Sequence, residues 1–146
     1  MEFYNLKEKN ELKEVVGKRV YKAFIEGKKD MTLEDVMDRL DQVETIVAVE
    51  DNECLGSVAI FENDLTSRQD LTPWLASLVV EPKYRSKKVG AQLMDQVKAE
   101  VKRQGYDKVY LRTGNAHEYY LKRGWKLVEM TTDEGGNEIG VYEFSL

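Results

Sequence analysis

Apolar residues along this chain alternate between two spacings, and the changes of spacing mark its elements. Residues 2–8 read as a short strand ending near Asn10, whose side chain is suited to capping the next helix. From Glu11 to Glu26 apolar side chains recur at Leu12, Val15, Val16, Val20, Ala23 and Phe24, close to the helical period, and Gly27 supplies a stop. Thr32-Leu33-Glu34-Asp35 has the form of a capping box and opens a second helix with Val36, Met37, Leu40 and Val43 on one face. Thr45–Glu50 and Cys54–Glu62 are β-type runs separated by the turn residues Asp51-Asn52-Glu53. Residues 63–72 are polar and predict a loop. Trp74–Val80 is apolar almost throughout, which predicts a central strand covered on both faces.

Helical spacing returns at residues 89–104, with Val89, Leu93, Met94, Val97 and Val101 on one face and Gly105 as the stop. Lys108–Arg112 alternates as a strand, and Ala116–Arg123 predicts a short helix stopped by Gly124. Trp125–Thr132 and Ile139–Phe144 flank the turn Asp133-Glu134-Gly135-Gly136-Asn137 and predict a terminal hairpin. No internal repeat, low-complexity tract or linker interrupts this order. The economical reading is one mixed α/β domain over residues 1–146.

Composition narrows the classes of function. Hydrophobic residues make up 42% and charged residues 34% of 146, which suits a globular domain and argues against disorder. No stretch approaches the roughly 20 apolar residues that span a bilayer. The start, Met1-Glu2-Phe3-Tyr4-Asn5-Leu6-Lys7, has neither a signal h-region nor an Arg-rich transit pattern, so a cytoplasmic protein without membrane contact is expected. The single cysteine, Cys54, allows no internal disulfide, and its apolar strand makes small core filler the favoured reading. With one histidine, His117, no His pair is available to a metal, and none is expected. A formal net charge of −5 argues against general nucleic-acid binding.

Against that acidic background, four of the six residues from Lys83 to Lys88 are cationic. They stand between an apolar strand ending at Pro82 and the start of a helix. The first N–H groups of a helix lack internal partners and sit at the positive end of its dipole, so this turn is a place to hold an anion. A P-loop would need Gly-x-x-x-x-Gly-Lys-Ser/Thr, and a dinucleotide fingerprint three spaced glycines; only Gly90 is present.

Val80-x-Pro82-x-Tyr84-Arg85-x-x-Lys88-Val89-Gly90-Ala91-x-Leu93 resembles the acyl-CoA-binding segment of the GNAT N-acetyltransferase superfamily, whose signature is Arg/Gln-x-x-Gly-x-Gly/Ala after a strand and a Val-x-Pro. Pro73-Trp74-Leu75 is similar to a common bacterial branch. Further on, Ala116-x-x-Tyr119-Tyr120-x-x-x-Gly124-Trp125 resembles the family's second signature, Ala-x-x-Phe-Tyr-x-x-x-Gly-Phe/Trp. Two signatures in the right order are far more specific than either alone. The resemblance implies a mixed, twisted central sheet of roughly six to seven strands flanked by roughly four helices.

It also implies acetyl-CoA as co-substrate. Backbone N–H groups from Ser86 through Lys87, Lys88, Val89 and Gly90 to Ala91 would wrap the pyrophosphate, with Arg85, Lys87 and Lys88 adding charge. Leu78, Val79 and Val80 would pair with the pantetheine amides as an added strand does. Lys88 departs from the signature, which has glycine there; ordinary helical backbone geometry is expected for it. Thr113 departs from an asparagine common three residues before the alanine, and Asn115 lies nearby.

The expected reaction is direct attack of a primary amine, on a small molecule or peptide, upon the thioester. No activated Cys-His pair is available for an acyl-enzyme. The resemblance makes Tyr120 the general acid for the departing thiolate, since a phenol with a pKa of about 10 is protonated at neutral pH. Without the second signature, Tyr119 and Tyr120 would read as packing residues. The general base is unassigned: strand 74–80 offers only Ser77 and no carboxylate, Glu81 reads as solvated, Glu62, Asp64 and Asp70 border a loop that could line an acceptor pocket, His117 is the lone imidazole, and a water chain to bulk solvent is the alternative. A CoA-binding sensory module without turnover is the alternative function, and a homodimer is compatible with either.

Overall fold

A computed structural model describes residues 1–146. Its elements run β1 (Glu2–Asn5), α1 (Lys13–Val20), α2 (Leu33–Gln42), β2 (Glu44–Glu50), β3 (Glu53–Phe61), β4 (Trp74–Val80), α3 (Val89–Arg103), β5 (Lys108–Thr113), α4 (His117–Lys122), β6 (Lys126–Thr132) and β7 (Glu138–Ser145). Seven strands and four α-helices, with parallel and antiparallel pairs, confirm the mixed α/β class. No helix is long and apolar enough to cross a membrane. The chain forms two compact units, residues 1–60 with 77–97 and residues 61–76 with 98–146.

In the first unit the strands follow the order β1-β2-β3 and then the second half of β4. β1 and β3 are both antiparallel to β2. One cluster of its core is Leu6, Val16, Leu40, Val47 and Cys54. β1 ends at Asn5, before the expected residue 8, because Asn5 caps a 3-10 turn. Its carboxamide oxygen accepts the Lys7 N–H at 3.0 Å, and the Glu8 carboxylate accepts the Asn5 N–H at 3.1 Å. The capping box of α2 forms as expected, with Thr32 Oγ1 accepting from the Asp35 amide at 3.1 Å and Asp35 accepting from the Thr32 amide at 2.9 Å.

The helix expected over 11–26 is present in extent but changes pitch. A 3-10 turn (Asn10–Leu12) leads into α1, and a π turn (Tyr21–Ile25) comes after it, closed by the Glu26 N–H to the Tyr21 carbonyl at 2.8 Å. The wider turn corrects the predicted face. Ile25 is 3% exposed whereas Phe24 is 36% exposed. An even 3.6-residue period places Phe24 inward; a π turn inserts one residue and rotates Ile25 into the core instead.

In the second unit the first half of β4 pairs in parallel with β5 at Trp74 and Tyr110, and the order continues β5-β7-β6 with antiparallel pairs. Leu65, Trp74, Ile139 and Val141 form one cluster of its core. The Trp74 indole N–H donates to the Leu71 carbonyl at 2.7 Å. β4 is buried on both faces only over Trp74, Leu75 and Ala76; residues 77–80 are half-buried. The division falls at Ser77, whose φ of 53° interrupts the pleat in mid-strand, as bulged residues do.

Candidate active site

The cationic turn expected to hold an anion lies in the first unit. β4 ends at Val80, Glu81 precedes a 3-10 turn (Pro82–Lys87), and Lys88 joins that turn to α3. Pro82 suits the first position of the turn because its missing N–H is not needed there. Val89, Leu93 and Val97 are fully buried and anchor the helix, while Arg85, Ser86, Lys87 and Lys88 remain exposed.

Two glycines have opposite reasons. A Cβ on Gly56 of β3 would sit 2.8 Å from the Val79 carbonyl oxygen and 3.2 Å from Leu93 Cδ1, so close packing of β3 beside β4 requires glycine. A Cβ on Gly90 would meet only Val80 Cγ2 at 3.6 Å and Leu78 Cδ2 at 3.9 Å, ordinary contacts. Nothing in the protein's own packing excludes a Cβ from Gly90.

Lys88 corrects an expectation. Its φ of 58° and ψ of 33° are left-handed, not ordinary helical. Its amide donates to the Arg85 carbonyl at 3.4 Å, and its carbonyl accepts from the Gln92 amide at 3.2 Å. The 3-10 turn and α3 meet through this one reversed residue, which is the physical reason a glycine suits the position. Lys88→Gly is therefore expected to raise stability. Relief of roughly 1–2 kcal/mol of steric strain, less glycine's larger unfolded-state entropy, leaves about 0.5–1 kcal/mol. Urea unfolding of both proteins measures it; a destabilised variant would show that the lysine side chain more than offsets its backbone strain.

Glu81 is not free in solvent. Its carboxylate forms an ion pair with Arg19 Nε at 3.1 Å, and Arg19 Nη1 donates to the Cys54 carbonyl at 2.7 Å. Its amide donates to the Leu55 carbonyl at 3.0 Å. Cys54 itself is buried, and desolvation pushes its thiol pKa up, in keeping with a packing role.

The second signature lies in the second unit. Thr113 Oγ1 accepts the Ala116 amide at 3.0 Å and organises the entry to α4. Gly124, with φ +90°, ends that helix, and the adjoining Trp125 is buried. Tyr120 is half-buried, edge-on to Trp125 at 6.0 Å and to Tyr119 at 5.1 Å between ring centroids. Burial pushes its phenol above the ordinary value of 10.0; Tyr119 adds to the rise and Arg123 partly opposes it. The fixed spacing from Ala116 to Trp125 thus has a local cause: cap, helix, left-handed stop, buried indole.

The base candidates are mostly engaged elsewhere. His117 Nδ1 lies 2.7 Å from the hydroxyl of buried Tyr142, over Gly140, where a Cβ would come within 3.0 Å of the imidazole. Asp64 pairs with Arg112 at 3.6 Å and Asp70 with Arg68 at 3.0 Å, and the Arg68 hydrogen bond holds the Asp70 carboxyl below its usual range. Glu62 is exposed. Sequence reasoning missed Arg19, Glu50, Glu53 and Gly56. Only Gly56, inside an otherwise apolar strand, carried a signal, that of close backbone approach.

A family model described as the Acetyltransferase (GNAT) family matches residues 11–125. The fold and both motifs thus define an acyl-CoA-dependent N-acyltransferase. The chain belongs to the GNAT acetyltransferase family. Among solved structures, aminoglycoside 6'-acetyltransferase type Ii is 21% identical with a TM-score of 0.79, covering 99% of this chain and 97% of that one. An aminoglycoside 6'-N-acetyltransferase complexed with coenzyme A is 18% identical with a TM-score of 0.80 and the same coverage, 99% and 97%. A GNAT family acetyltransferase from Elizabethkingia anophelis with acetyl-CoA bound is 21% identical with a TM-score of 0.60, covering 80% and 85%. At these identities the likeness is one of fold. No curated protein matches the sequence.

Proposed function

We propose that residues 1–146 form a single catalytic domain that moves an acetyl group from acetyl-CoA to a primary amine by direct attack. The observation that carries this reading is Gly90, the second residue of α3: a Cβ there would be tolerated by the protein, so the glycine serves something that approaches from outside. In this reading the N–H groups from Ser86 to Ala91 hold the pyrophosphate, and Arg85 adds charge. Leu78, Val79 and Val80, half-buried beyond the interruption at Ser77, pair with the pantetheine amides, and an amide of Val79 or Val80 stabilises the oxyanion. The amine nitrogen bonds to the acyl carbon, the C–S bond breaks, and the thiolate takes the proton of Tyr120. The ammonium proton leaves to water, and Tyr120 is reprotonated from solvent. The activities named for the similar structures support a small-molecule amine as acceptor. The co-substrate is a charged, water-soluble molecule, which favours a cytoplasmic setting.

Gly90→Ala separates cofactor binding from folding. Alanine at a helical position stabilises by about 0.5–1 kcal/mol over glycine, so the melting temperature should hold or rise. The Kd for CoA, by calorimetry, should nevertheless weaken about tenfold as the methyl group displaces the phosphate. Unchanged affinity would remove the cradle from this turn. Thiol release across an amine panel tests turnover, and acetyl-CoA binding without release from any amine would make the protein a CoA-binding module instead.

A further inference from the structure

The turn that leads into α3 has about three residues per turn, so side chains three apart eclipse on one face. Tyr84 and Lys87 share such a face, Glu81 immediately precedes the turn, and all three side chains dock on the same part of the first unit. Glu81 is ion-paired with Arg19, which also donates to the Cys54 carbonyl at the start of β3. The Tyr84 hydroxyl donates to the Glu53 carboxylate. The Lys87 ammonium donates to Glu50 at 2.6 Å, and the Met1 ammonium lies 3.5 Å from that same carboxylate. Lys83 adds a longer approach to Glu53 at 4.0 Å. Glu50 and Glu53 bracket the β2–β3 turn, Asp51-Asn52, whose two residues both have positive φ. Arg85 lies on a different face of the 3-10 turn and is exposed.

We infer that Glu50, Glu53 and Arg19 are positioning residues: they dock the side chains of Glu81, Tyr84 and Lys87 onto α1 and the β2–β3 hairpin and thereby turn Arg85 and the Ser86–Ala91 amides toward the cofactor phosphates. The inference rests on the acetyl-CoA reading. It gives the Lys87 side chain a partner in the protein, Glu50, in place of a phosphate, while its amide stays in the cradle. It also accounts for a lysine at the left-handed position 88, since strained residues persist where their surroundings over-determine them. Two contacts from one face of the six-residue turn, with that of Glu81 just before it, do that.

A charge swap tests it, with Glu50→Lys, Lys87→Glu and the double variant, whose net charge equals that of the wild type. Three quantities are read: the Kd for CoA, the split between KM for acetyl-CoA and kcat, and amide hydrogen exchange over residues 84–91 without ligand. Each single variant should weaken CoA about fivefold, change kcat less than about twofold and accelerate exchange. Weakening by Glu50→Lys is diagnostic, because added positive charge alone would strengthen phosphate binding. The double variant should return affinity and exchange to within about twofold of wild type. CoA binding as weak in the double variant as in Lys87→Glu would overturn the assignment by showing that Lys87 reads the phosphate itself. Single variants that bind CoA as the wild type does would overturn it too. If wild-type protein fails to bind CoA, the acetyl-CoA reading falls and this assignment with it; normal wild-type binding with an unrescued double variant sinks this assignment alone.

Discussion

Tyr120→Phe is expected to lower kcat about 100-fold while moving the KM for acetyl-CoA less than about twofold. The phenol hydroxyl is the only group removed, and the ring contacts to Trp125, Tyr119 and Tyr142 can all persist in phenylalanine. A thiolate leaving without a proton donor carries its full charge into the transition state, and that cost falls on kcat alone. The sign of the pH dependence comes from burial. Desolvation raises the Tyr120 pKa above 10.0, so the donor stays protonated across the neutral range and up to pH 10. Activity carried by this proton is lost only as pH rises through the raised value, and the variant should lack that alkaline limb. Tyr119→Phe is the control: this exposed ring lies under the Arg123 guanidinium at 3.5 Å and should change kcat far less. Wild-type kcat in Tyr120→Phe would take Tyr120 out of the mechanism.

Gly56→Val should cost about 3 kcal/mol of stability and, with it, much of the affinity for CoA. Its Cβ would stand 2.8 Å from a backbone oxygen, that of Val79, with Leu93 Cδ1 at 3.2 Å and Val89 Cγ1 at 3.3 Å. A side chain can rotate away; a strand carbonyl can move only if β4 moves, and Leu78 to Val80 are the residues proposed to pair with the pantetheine. The melting temperature should fall by about 10 °C. At temperatures where the variant is folded, the KM for acetyl-CoA should rise more than the KM for the amine. A variant as stable as wild type would mean that β3 and β4 have more room between them than the structure shows.

The boundaries of most elements are legible in the chain because apolar spacing is a local property. Thr32 with Asp35, Gly105 and Gly124 mark their ends through caps and stops that require only neighbours in sequence. The buried face of the helix at 11–26 is not legible, for the same reason. A π turn at Tyr21–Ile25 is a response to what α1 packs against, and no periodicity carries it. β4 reads as uniformly buried because its residues are uniformly apolar, yet Ser77 turns its second half to a different environment.

Within the site, the motif spacings, the run of cations and the glycines are readable from the chain alone, since each answers a local demand of turn geometry, charge or steric room. Which cations face a partner is settled by the packed protein. Lys83 and Lys87 look alike with Arg85 in the sequence, but Glu50 and Glu53, far earlier in the chain, meet only the first two. Packing also settles that Lys88 is left-handed, because that angle is set by how a 3-10 turn must join a helix whose Val89 is already buried. Coulomb and packing energies depend on distance in space, and chain order constrains that distance only within a few residues.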